Sequence, residues 1–290
     1  MPTQSIAERA MLVTLSITQW TANKLDSKVS REVADRHGND VSMGRFNKSL
    51  VVKEATQELR QTATNARTDH YKFTLPWSDN GPRILSQTGY FSYCEKMRVY
   101  QSQWEDAVDK FVYAYPDLVC DARRRLNGLF NPADYPDVRT IRDKFSFGFN
   151  VRGLSTESDF RVDLGTAETA RIKADIESSL NATIETAMAD VFTRIKETVG
   201  HLSDRLRAYT IDDKGVSNPF RDSLVTNVRE LVSLLPMLNI TGNPKLAEIA
   251  DRMNRELCVY SPDTLRASTD AREETAKAAE SILRTMEDFI

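Results

Sequence analysis

Apolar and polar residues alternate over residues 11–18, with Val13, Leu15 and Ile17 on one side and Thr14, Ser16 and Thr18 on the other. Period two with β-branched residues predicts a strand. From Thr21 to about Arg36 the spacing becomes helical, with Leu25, Val29 and Val33 four apart and Gly38 as a stop. A second helix is expected from about Arg45 to Thr68, through Leu50, Val51, Ala55 and Leu59. Residues 69–85 break the pattern. Pro76, Gly81 and Pro82 forbid a continuous helix, and Asp79-Asn80-Gly81 is turn chemistry. Tyr71, Phe73, Leu75 and Trp77 alternate as in an extended segment. Helices are expected next over about 90–113 and 116–126. Asn131-Pro132 and Tyr135-Pro136 then break the chain before a short helix around 138–144.

The clearest β signal follows. Phe145, Phe147, Phe149 and Val151 alternate with polar or small residues, and so do Phe160, Val162 and Leu164 with Asp159, Arg161 and Asp163. The short loop between them contains Gly153, so a hairpin is expected over about 145–164. A lone hairpin is marginal in water, which makes the 11–18 strand its expected partner. From Thr166, a capping residue with Glu168 in the first turn, a stripe from Ile172 through Leu180, Val191 and Val199 to Leu206 predicts one long helix that Gly200 could bend. Its mean step of about 3.8 residues is not that of a heptad coiled coil. Asn218-Pro219, Asn243-Pro244 and Ser261-Pro262 read as helix starts, and a last helix is expected from Asp270 to Ile290. The fold class is α+β and predominantly helical. A small antiparallel sheet packed by helices occupies 1–165, and a helical region occupies 166–290, as a separate domain or on a shared core.

Composition narrows function mainly by exclusion. The 290 residues are 40 % apolar and 28 % charged with a net charge of −3, so nothing pulls the whole chain toward nucleic acid or an anionic membrane. Residues 1–150 carry 21 Lys+Arg against 18 Asp+Glu and the remainder 18 against 24, which makes the first part the better anion binder by a small margin. No apolar run approaches the ~20 residues of a membrane span, and the first residues do not resemble a signal peptide. Cys94, Cys120 and Cys258 form no CxxC pair. Cys94 and Cys120 read as small core residues, and a cytoplasmic location is expected. His37, His70 and His201 sit in no metal-binding motif, and no P-loop, GxGxxG or GxSxG occurs. No cofactor, metal or catalytic residue is therefore expected.

Residues 69–85 carry the best candidate chemistry. Arg67, His70, Tyr71, Lys72, Phe73, Trp77 and Arg83 combine aromatic platforms with cations, the set that binds single-stranded nucleic acid. The structural alternative, which is the simpler one, is that Tyr71, Phe73, Leu75 and Trp77 plug a core under a loop. Arg123-Arg124-Arg125 reads as a favourable helix C-terminus. Asp159, Arg161 and Asp163 read as a solvated strand face, and Asp212-Asp213-Lys214-Gly215 as a surface turn. The Ala/Glu/Arg-rich final helix suits either ordinary packing or a partner or oligomer surface.

Three stretches, Met11-Leu-Val-Thr-Leu-Ser-Ile-Thr-Gln-Trp20, His70-Tyr71 with Thr74-Leu-Pro-Trp-Ser-Asp-Asn-Gly81, and Phe160-Arg-Val-Asp-Leu164, together resemble a family of uncharacterised tailed-phage and prophage proteins. The resemblance covers about 10–180 and assigns no catalytic residue. It implies a neighbourhood of MoxR- or cobaltochelatase-type AAA+ ATPases and von Willebrand A-domain proteins, hence an adaptor role. The expected function is a non-enzymatic, phage-encoded binding protein that acts through protein contacts, with an AAA+ ATPase as candidate partner and homo-oligomers allowed. The alternative is an accessory of phage DNA metabolism that binds single strands through 69–85.

Overall fold

The computed structural model describes residues 6–78, 81–162, 164–212 and 215–287. A helical turn, α1 (Ile6–Arg9), leads into β1 (Ala10–Thr18); then come β2 (Asn23–Leu25), α2 (Ser27–His37), β3 (Asn47–Ser49) and α3 (Gln57–Phe73). Next are β4 (Leu75–Pro76), β5 (Arg83–Ser86), α4 (Tyr90–Leu126), β6 (Ser146–Gly153) and α5 (Thr166–Ala208). The chain ends with β7 (Thr210–Asp212), β8 (Gly215–Ser217), α6 (Ser223–Leu238), α7 (Pro244–Leu257), α8 (Pro262–Ala267) and α9 (Thr269–Glu287). The fold is α+β and mostly helical. Its four-stranded sheet has the order β4-β5-β1-β6, with Ala10 opposite Ser86 and Val13 opposite Arg83 in antiparallel register. Two-stranded ribbons pair β2 with β3 and β7 with β8.

Two compact units divide the chain, and neither follows a single cut at 165. The first comprises Met1–Thr14, His70–Tyr93 and Asn150–Ile290. In it α5, about 65 Å long, packs against α6 and α9, and α7 packs against both of these. The stripe read from the sequence forms the seam from Leu180 to Leu206, while Ile172 and Ile176 are only half-buried. The first strand and β4–β5 join the same core through Ala10, Leu12, Leu75 and Ile84. The final helix is a packed one: Ala276, Ala279 and Ile282 are buried.

The second unit comprises Leu15–Asp69 and Cys94–Phe149. Its core gathers Leu59 and Ala63 of α3, Trp104, Val108, Phe111 and Tyr115 of α4, and Ile141 and Phe145. Trp104 packs against Phe145 and Phe147 at ring separations of 6.4 and 6.2 Å. Lys48 on β3 lies 2.8 Å from Asp134 and 3.4 Å from Asp26, and it donates to Leu129 O at 2.7 Å. Burial opposes its charge, but the two carboxylates outweigh that and hold the ammonium above the usual lysine range.

Several expectations give way for local reasons. The second hairpin strand does not form among the described residues. Thr156 N–H donates to Asp159 Oδ2 at 2.8 Å, and this capping box winds Glu157–Asp159 into a 3-10 turn. Val162 and Leu164 are left exposed; Asp163 lies outside the described residues. The helix expected from Thr21 starts only at Ser27, with Asn23–Leu25 in strand β2, because Asp26 is the cap that starts the helix, accepting from Val29 N–H at 3.1 Å. The helix expected over 45–68 begins only at Gln57 and runs on to Phe73, so Tyr71 and Phe73 are helical and β4 is confined to Leu75–Pro76. The two expected helices over 90–126 are one, with Pro116 inside it. Asn218 does not start a helix: with a left-handed φ of 52° its Nδ2 donates to Ala208 O and closes α5 instead. Asn243 and Ser261 do cap α7 and α8. Cys120 is exposed, unlike Cys94, because it falls on the solvent side of α4. Asp79-Asn80 and Asp213-Lys214 lie outside the described residues.

Candidate interaction surfaces

Helix α3 ends at Phe73, so its last carbonyls need partners. The nearby cations supply them. Arg194 on α5 donates to Lys72 O at 3.1 Å and to Thr74 O at 2.9 Å. Arg83 on β5 donates through Nε to Thr74 Oγ1 at 2.7 Å and through Nη2 to Thr74 O at 3.1 Å. Thr74 Oγ1 in turn donates to His70 O. Arg194 is itself paired with Asp190 at 2.7 Å, and Lys72 with Glu230 at 2.8 Å. Two guanidiniums on carbonyl oxygens at a helix C-terminus form a cap, the polarity the helix dipole favours.

The residues singled out from the sequence are accordingly divided. His70 is buried, its Nδ1 2.8 Å from Tyr93 Oη. Phe73 and Trp77 are half-buried against the core of the first unit. Tyr71 is 55 % exposed, with the Arg83 guanidinium 4.6 Å from its ring centre. Arg67 belongs to the second unit, where it is exposed and reaches Ile17 O at 3.4 Å. Of the triple Arg123-Arg124-Arg125, the last two pair with Asp121. Among the described residues no three His, Cys, Asp or Glu side chains are placed to hold a metal, and no helix is long and apolar enough to cross a membrane.

Burial, reinforced by Arg83, pushes His70 down to about 4, so the imidazole is neutral near pH 7. In the unfolded chain it titrates near ~6.5. Between these values the unfolded chain binds the extra proton, so this group's contribution is complete above 6.5 and is lost as pH falls toward 4. Urea melts across that window are expected to give wild type a steeper loss of stability than His70→Gln, by up to about 1.4 kcal/mol per pH unit. Equal slopes would place the ring in water.

A second surface escapes sequence reasoning. In the second unit Val33 of α2 and Met43 and Phe46 of the following loop line one groove of about 250 Å³. They are 48, 82 and 39 % exposed. The loop is tied to α2. Phe46 N–H donates to Ser30 Oγ at 3.0 Å, Asp26 N–H donates to Phe46 O at 2.9 Å, and Asp40 accepts from Ser42 N–H at 2.7 Å. Gly38, with φ at 64°, makes the turn out of α2 that no side-chain-bearing residue adopts as readily. The signal in the sequence was small: Met43 and Phe46 flank Gly44-Arg45 and fit neither a helical nor a strand period. No protein-family model, no curated protein and no solved structure matches this chain.

Proposed function

We propose that this chain is a non-enzymatic binding protein that acts through protein–protein contacts, with the Val33–Met43–Phe46 groove as its contact surface. The observation that carries this reading is the gathering of three exposed apolar side chains around one groove whose backbone is pinned by hydrogen bonds. Single exposed apolar residues are ordinary, whereas a preorganised cluster favours binding because little ordering remains to be done. The resemblance to phage proteins makes an AAA+ ATPase the first partner to test. A single-stranded nucleic-acid role rests on Tyr71 alone, since the cations beside it already have protein acceptors or carboxylates.

Met43→Glu places a charge in the groove at a solvent-exposed position. The variant is expected to melt within about 1 °C of wild type, as surface substitutions do. Purified at equal level from the native host, wild type is expected to retain a stoichiometric protein partner that Met43→Glu loses. A wild-type protein with no partner, or the same partner held equally by the variant, would contradict the reading.

A further inference from the structure

A cavity of about 500 Å³ in the first unit opens where α5 ends and α9 begins, and Arg272 lines it. The residue is only 6 % exposed. Nη1 donates to Leu265 O at 2.9 Å and Arg266 O at 3.0 Å, and Nη2 donates to Thr269 Oγ1 at 3.0 Å. One face lies 4.7 Å from the Tyr209 ring centre. Nε–H and the second Nη2–H have no acceptor among the described residues, and no described carboxylate pairs with the group. Two carbonyls, a hydroxyl and an aromatic face offset part of a buried charge, but an anion is what completes it.

Two of the three other charged residues in the lining have the same sign. Arg207 and Lys277 also line the cavity, with side chains 51 and 70 % exposed, and Glu273 is the carboxylate of the lining, 3.3 Å from Lys277. Glu280, outside the lining, pairs with Arg207. Leu206, Tyr209 and Ala276 add an apolar wall. We propose that this cavity binds a small organic anion through a two-oxygen group, phosphate or carboxylate, received by the free edge of Arg272 with Arg207 and Lys277 at the entrance. A planar guanidinium with two donors on one side matches such a group in bidentate fashion, and the volume is that of a small-molecule site. This site lies in a different unit from the proposed protein-binding groove and stands independently of it.

The test is titration of the full chain with sodium phosphate and, separately, sodium acetate, each against sodium chloride at equal ionic strength, read by thermal shift and calorimetry. Saturable stabilisation by at least one of the two anions, beyond chloride, is expected. The anion that saturates at lower concentration assigns the group as phosphate or carboxylate. Lys277→Glu, at an exposed position, is expected to weaken binding about tenfold or more without lowering the melting temperature, and Arg272→Lys to weaken it while keeping the charge. Lys53→Glu, in the other unit, is expected to leave it unchanged. No saturable response to either anion, or equal weakening by Lys53→Glu and Lys277→Glu, would overturn the proposal.

Discussion

Trp104→Ala is expected to cost about 3–5 kcal/mol and to remove the cooperative unfolding of the second unit. Trp104, on α4, is 2 % exposed and packs against Phe145 and Phe147, so truncation leaves a cavity that rigid helices cannot close. Trp104→Phe keeps an aromatic ring in the cluster and removes the polar Nε1, while giving up less volume than alanine does. The indole Nε1 is buried without a hydrogen-bond partner among the described residues, a standing cost that phenylalanine removes. Trp104→Phe should therefore cost less than about 1.5 kcal/mol. Urea denaturation followed by circular dichroism checks both. A mild effect of the alanine variant would mean that the aromatic cluster is not the core of this unit.

The second large effect concerns Lys48. Replacing it by Met leaves Asp26 and Asp134 facing each other with their shared cation gone and Leu129 O without its donor. Breaking a buried pair costs about 3–5 kcal/mol, and Asp26 and Asp134 each keep some exposure to water, so about 3 kcal/mol is expected. The two carboxylates would also repel, so part of the loss should return as pH falls and they protonate. Asp26 caps α2 and bonds to Phe46, which couples this ion cluster to the groove. The double variant Lys48→Met with Asp134→Asn tests this. It should recover part of the stability, and no recovery would show that the loss comes from packing alone.

Long periodic elements were legible in the sequence, and short polar ones were not. The α5 stripe and the 11–18 alternation repeat one signal over many residues, and Asn243 and Ser261 before proline do cap helices, although the same signal at Asn218 does not. The hairpin failed because Thr156 and Asp159 offered the backbone a closer partner than a neighbouring strand. The start of α2 was misplaced because Asp26 outranks the apolar spacing that begins at Leu25. Of the 69–85 candidates, the residue types were legible but not their employment. That Arg83 and Arg194 cap α3 depends on a residue 120 positions from Thr74, which no local pattern reveals. The groove was missed because two apolar residues beside a glycine carry no period at all.

Site-specific photo-crosslinking compares the two candidate surfaces directly. A benzophenone amino acid at position 43 or at position 71 in otherwise wild-type protein, irradiated in the native host, reports what lies against each. A discrete protein adduct from position 43, absent from position 71, is the expected result. An adduct from position 71 alone, to protein or to nucleic acid, would contradict the assignment of function to the groove.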